Sequence, residues 1–282
     1  MTTVSIPTVR LPSGRTMPKF GLGTWRMGES ARKRRDEVDA LRHGIGRGVT
    51  LMDSAEMYGD GEAERILADA AGNDRERLFI VSKVLPENAS RRGTIAACER
   101  SLKRLKTDRI DLYLLHWRGS VPLAETLEAF ATLRDAGKII DWGVSNFDMS
   151  DMQELAKLSP DEKPATDQVL YNLTRRGIAF DLVPWCRARK IPIMAYSPIE
   201  QGRVLSHPAL KSVAQRRGAT PAQIALAWLL RQEGIIVIPK AGSRAHVEED
   251  IAALELTLDK EDLAALDRAF PPPTKAKPLE ML

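Results

Sequence analysis

Cysteine is scarce in this chain: Cys98 and Cys186 are the only two, far apart and without a C-x-x-C spacing. That scarcity excludes a disulfide framework and a zinc knuckle, and with no other metal-ligand motif in sight no resident metal is expected. An apolar stretch approaching about 18 residues is missing, as is a basic N-terminal patch leading into an apolar run. Neither a membrane span nor a secretory leader is therefore expected, and a reducing cytoplasm is the expected compartment. Charge of one sign is lacking too. With 42 basic against 38 acidic residues, the net charge of +4 is too small to argue for a nucleic-acid partner. The densest basic run, Arg32 to Arg35, meets Asp36 and Glu37 at once and reads as a solvated helix face. A phosphate-binding Walker loop, a Gly-x-Ser-x-Gly elbow and a His-Glu-x-x-His pair are absent. Gly21-Leu22-Gly23 runs into Thr24, Trp25 and Arg26, which breaks the dinucleotide fingerprint and disfavours a doubly wound fold.

What is present is an alternation. Apolar strand-like runs fall near Gly21, Leu51, Ile80, Leu112, Ile139, Gln168, Ile193 and Ile236, each followed by a helix-like segment. Their spacing of roughly thirty residues is one strand-helix unit, and eight units imply an α/β fold of the (β/α)8 TIM-barrel type. One barrel domain over residues 1–282 is expected, with 271–282 as a tail. The longest interval, from Ile193 to Ile236, holds two helical segments, Pro208 to Arg217 and one opened by Thr220-Pro221. Thr94, Ala97, Cys98, Ser101, Leu102 and Leu105 recur at three and four, the mark of an inward helix face. Cys98, Trp142, Trp185 and Trp228 read as packing residues. Val4 to Pro7 and Arg15 to Pro18 are expected to pair as a hairpin around Leu11-Pro12-Ser13-Gly14. Pro271-Pro272-Pro273 ends the last helix, leaving the tail to Leu282 as a surface strap or a lid.

Leu51-Met52-Asp53 closes an apolar strand on a carboxylate, and a buried charge demands a partner. Lys83 closes the next strand and His116 the one after, so in a barrel the three converge on one rim. Tyr58 follows Asp53 in a loop ended by Gly59, Asp60 and Gly61. With an ordinary pKa of about 10, a tyrosine supplies a proton near neutral pH only if a cation eases its ionisation. An ammonium about 4 Å away is worth about 4 kcal/mol at an effective dielectric of 20, or roughly three pKa units, part of which Asp53 takes back by pairing with Lys83.

Asp53, Tyr58, Lys83 and His116 at these strand ends resemble the catalytic tetrad of the aldo-keto reductases. The resemblance spans essentially the whole chain: Gly143-Val144-Ser145-Asn146-Phe147 closes the fifth strand, Gln168 with Tyr171-Asn172 the sixth, Ala195-Tyr196-Ser197-Pro198 the seventh, and Ile238-Pro239-Lys240 the eighth. Asp-Ser-Ala-Glu-Met-Tyr, Leu-Leu-His-Trp and Gln-Val-Leu-Tyr-Asn are similar to the bacterial branch with methylglyoxal-type reductases.

The resemblance implies NADPH, with NADH as the alternative, and hydride transfer to the carbonyl carbon of a small-molecule substrate. Tyr58 is the implied acid, and His116 would hydrogen-bond the carbonyl oxygen. Ser145, Asn146 and Gln168 would hold the nicotinamide carboxamide and Tyr196 would stack on its ring, while Ser197, Ile199 and Gln201 would cradle the pyrophosphate. Lys240 would meet the 2'-phosphate as a point charge, in a stretch that also includes Ser243, Arg244, His246, Glu249 and Asp250. Family members often follow that lysine with serine, then arginine six and asparagine ten residues on; this chain has Ala241, His246 and Asp250, and Arg244 is the candidate for the missing charge. Trp25 and Trp117 are candidate pocket walls. Arg118-Gly119-Ser120 and the tail are short, which implies an open mouth for small aldehydes, dicarbonyls or sugar-derived ketones. A monomer is expected. Two rivals are a Schiff-base aldolase acting through Lys83 and a cofactor-sensing regulatory subunit with negligible turnover.

Overall fold

The computed structural model describes residues 3–282. An antiparallel hairpin of β1 (Thr8–Arg10) and β2 (Thr16–Pro18) precedes the barrel. The barrel strands are β3 (Gly21–Gly23), β4 (Leu51–Asp53), β5 (Phe79–Val84), β6 (Ile110–Leu115), β7 (Ile139–Ser145), β8 (Asp167–Leu170), β9 (Ile193–Tyr196) and β10 (Ile235–Val237), hydrogen-bonded in sequence order. Every neighbouring pair is parallel. Closure comes from a parallel bridge of Phe20 to Val237, with Val237 N donating to Lys19 O and Gly23 N to Pro239 O, both at 2.8 Å. The eight-unit spacing read from the sequence is thus the closed barrel observed.

The outer helices are α1 (Arg34–Gly46), α2 (Glu62–Ala71), α3 (Arg91–Leu105), α4 (Leu123–Asp135), α5 (Met149–Leu158), α6 (Leu182–Ala188), α7 (Pro208–Arg217), α8 (Pro221–Leu230), α9 (Arg244–Ala252) and α10 (Lys260–Ala269). The inward face of α3 is the six residues whose spacing marked it, Thr94 through Leu105. Thr220 opens α8 through a reciprocal cap with Gln223, with Pro221 in the first turn, where a missing N–H costs nothing. In the basic run, Arg34 reaches the carboxylates of Glu62 and Asp69 on α2.

Alternation along the strands sorts side chains into two cores. One lies between sheet and helices and includes Trp142, Trp228 and Cys98. The other fills the barrel with Leu51, Phe79, Val81, Leu112, Leu114, Met194 and Ile236. Leu11 and Met17 of the hairpin belong to this inner set and plug its floor. Room for the bulky members is made by glycine: a Cβ on Gly143 would lie 2.8 Å from both Leu114 Cδ2 and Thr166 O.

The hairpin departs from expectation at its first strand. It pairs at Thr8–Arg10 rather than Val4 to Pro7, because the turn closes tightly, with Gly14 N donating to Leu11 O and Leu11 N to Arg15 O. The residues flanking that turn are the ones brought opposite each other. Val4 instead donates its N–H to Arg47 O at the end of α1.

Candidate active site

The carboxyl ends of the strands surround a cavity of about 510 Å³. A larger open depression lies on the opposite face around the hairpin, and none of Asp53, Tyr58, Lys83 or His116 lines it. At the base of the upper cavity, Lys83 is fully buried and Asp53 is 2% exposed. Lys83 Nζ donates to Asp53 Oδ1 and Oδ2 at 2.8 and 2.9 Å, to Ser54 O at 2.7 Å and to Tyr58 Oη at 3.1 Å. Gln168 Nε2 adds a donor to Asp53 Oδ1 at 2.7 Å. Each charge thereby offsets the desolvation of the other. An ammonium shared among four acceptors has no lone pair for a Schiff base, which disfavours the aldolase reading.

Tyr58 is held in a loop turned by three consecutive left-handed residues, Gly59, Asp60 and Gly61, two of them glycines free of the Cβ penalty. Its ring meets Trp25 edge-on at 5.0 Å and His116 at 5.7 Å. Burial, and then the Asp53 carboxylate, push the Tyr58 phenol well above its ordinary pKa. The expected easing of ionisation by Lys83 is therefore not the dominant effect: desolvation of the phenolate comes first and the charge of Asp53 second. Burial also lowers the pKa of Lys83, against the pull of Asp53.

His116 is 6% exposed, and burial followed by the Lys83 charge lowers its imidazole to about 2, so it is neutral. Its Nδ1 is buried without a partner. Trp117 packs on its ring at 4.8 Å, and Trp25 and Trp117, both half-buried, line the cavity.

Across the cavity, Asn146 adopts a left-handed φ of 56°. Asn146 Nδ2 donates to His116 O and Ser145 Oγ, both at 3.1 Å, and its Oδ1 accepts from Tyr196 Oη at 2.9 Å. Ser145, Asn146, Gln168 and Tyr196 line one wall together. The loop after β9 continues it with Ser197, Ile199 and Gln201, and the far end is bounded by Lys240, His246, Glu249 and Asp250. Asp250 is 4% exposed, and burial, then Glu249, raise its carboxyl to about 8.

Apart from Lys83, which lies fully buried beneath the lining, two sequence candidates stand away from the cavity. Arg244 donates two bonds of 2.5 Å to Asp39 of α1 in an exposed ion pair and does not line the cavity. Ser243 caps α9 by accepting from His246 N. Conversely, Arg26, Met57, Leu205 and Ala222 line the cavity without having been singled out, and so do Met281 and Leu282 of the tail. The apolar pair at the end of a polar tail was the one sequence signal for them. The tail therefore narrows the mouth that its shortness implied to be open.

The Aldo/keto reductase family profile matches residues 19–270. A methylglyoxal reductase of Escherichia coli, YeaE, is 48% identical over 272 residues, 95% of this chain and 96% of that protein. A glyoxal reductase of Bacillus subtilis is 35% identical over 92% of this chain and 91% of its own. A crystal structure of an aldo/keto reductase from Klebsiella pneumoniae in complex with NADP and acetate superposes with a TM-score of 0.95 at 48% identity, covering 99% of this chain and 100% of that one. A second structure, from the same organism in complex with NADPH, matches equally well.

Proposed function

The chain belongs to the aldo/keto reductase family, and from that premise we propose that it reduces small aldehydes, ketones and dicarbonyls of the methylglyoxal type to alcohols with NADPH. The observation that carries the reading is the convergence of Asp53, Tyr58, Lys83 and His116 at the base of one cavity. When bound, NADPH supplies a hydride to the carbonyl carbon. The wall of amides and hydroxyls at Ser145, Asn146 and Gln168 suits a carboxamide, and the half-buried Tyr196 ring offers a stacking face. Ser197, Ile199 and Gln201 serve the pyrophosphate and Lys240 the 2'-phosphate, with His246, Glu249 and Asp250 around the adenosine end.

Tyr58, protonated across the physiological range, donates its proton to the carbonyl oxygen as negative charge develops there. Lys83 then stands 3.1 Å from the phenolate left behind and stabilises it, and Asp53 keeps Lys83 charged and aimed. Neutral His116 orients the carbonyl by hydrogen bonding, without contributing a titrating proton. Trp25 and Trp117 form apolar walls that favour small substrates. A monomer in a reducing cytoplasm remains part of this proposal; Cys98 and Cys186 are both buried and free. Among the described residues no helix is long and apolar enough to cross a membrane.

The test is NADPH oxidation against methylglyoxal, small aldehydes, a sugar-derived ketone and a steroid ketone, with Tyr58→Phe as control. Methylglyoxal should be turned over well, the steroid ketone poorly and the variant scarcely at all. Tight NADPH binding with no turnover would favour the regulatory-subunit alternative. A steroid ketone used far better than methylglyoxal would overturn the substrate class.

A further inference from the structure

Arg175, outside the cavity, touches two of its walls at once. Its Nε and Nη2 donate to Glu200 Oε1 at 3.2 and 3.1 Å, and its Nη1 donates to Glu280 Oε1 at 2.6 Å. Glu200 lies in the loop after β9 that carries Ser197, Ile199 and Gln201. That loop is wound through left-handed φ values at Ser197 (46°), Glu200 (51°) and Gln201 (53°), a conformation that disfavours residues other than glycine. Glu200 pins it, with its carboxylate also accepting from Asn172 Nδ2 at 2.8 Å and Arg203 Nη2 at 3.0 Å. Glu280 directly precedes Met281 and Leu282, the two tail residues that line the cavity.

The two arms differ in strength for a physical reason. The Glu200 side chain is 5% exposed and four-fold bonded, whereas Glu280 is 40% exposed and Arg175 36%, so the second arm is a screened surface ion pair. We propose that Arg175 is a positioning residue that couples the two walls: its inner arm fixes the loop after β9, and its outer arm reversibly holds the tail in place and so sets the size of carbonyl admitted. The inference rests on the reductase reading above and extends it to what selects the substrate.

The test compares the unmodified enzyme with Glu280→Gln and Arg175→Lys, measuring kcat/KM for methylglyoxal and for a naphthaldehyde at low and high salt, and NADPH affinity by fluorescence titration. Glu280→Gln should raise the ratio of naphthaldehyde to methylglyoxal by about two- to fivefold, the range of an exposed ion pair, and leave NADPH affinity within about twofold. High salt should raise the same ratio in the unmodified enzyme and leave it unmoved in Glu280→Gln. Arg175→Lys keeps one charge but not the fork. The buried carboxylate claims it, so this variant should match Glu280→Gln, and the double variant should add nothing. An unchanged ratio in Glu280→Gln, or a ratio insensitive to salt in the unmodified enzyme, overturns the coupling. Complete absence of turnover in the unmodified enzyme sinks the reductase reading instead, and with it this proposal.

Discussion

Lys83 Nζ lies 3.1 Å from the Tyr58 hydroxyl while spending two shorter bonds, 2.8 and 2.9 Å, on Asp53. The ammonium thus favours its carboxylate in the resting site and leaves the phenol protonated. In the proposed reaction its weaker, longer contact tightens only as the phenolate forms, which is where stabilisation lowers a barrier.

Replacing Tyr58 by phenylalanine removes the proton donor and little else, because the ring keeps its contacts with Trp25 and His116. We expect kcat to fall by about 10²- to 10⁴-fold, the usual worth of a general acid, with NADPH affinity unchanged. Steady-state kinetics alongside a fluorescence titration of the cofactor check this. Retention of more than a tenth of kcat would show that another group delivers the proton.

Asp53→Ala strands a fully buried ammonium. The loss of stability should be about 3–5 kcal/mol, measured by chemical denaturation, because the remaining charge stays desolvated. Asp53→Ala combined with Lys83→Met should recover much of that loss while remaining inactive. A double variant no more stable than the single one would mean that the pair is not the source of the cost.

His116 titrates near 6.5 when unfolded and at about 2 when folded. Between those values the unfolded chain binds a proton that the native chain does not, so acid favours unfolding. The contribution of His116 to stability is complete above about pH 6.5 and shrinks as pH falls, by up to about 1.4 kcal/mol per pH unit. His116→Asn should flatten that part of the stability profile between pH 4 and 6. In the active enzyme, the pH-rate profile between 5 and 8 should show no inflection that His116→Asn removes.

Lys240→Ala should weaken NADPH by about tenfold and NADH much less, since only the former carries the phosphate that Lys240 meets. Arg244→Ala should leave this preference intact, because Arg244 lies outside the cavity lining, beside Asp39 of α1. The ratio of kcat/KM for the two cofactors is the measurement. A native preference for NADH would remove the role assigned to Lys240.

Much of this protein is written locally. Strand and helix periods, and the positions where apolar runs end in Asp53, Lys83 and His116, are properties of short segments, and in a barrel each strand end has one place to go. The sequence therefore determined the architecture, the rim on which those residues meet and the family. Only the tertiary structure decided what depends on distance between remote segments. It gave Arg244 to Asp39 rather than to the cavity, brought Met281 and Leu282 into the wall, and moved the first hairpin strand to Thr8–Arg10. It also set the Tyr58 phenol toward its protonated form, because desolvation and the order of Lys83's preferences exist only once those side chains are buried together.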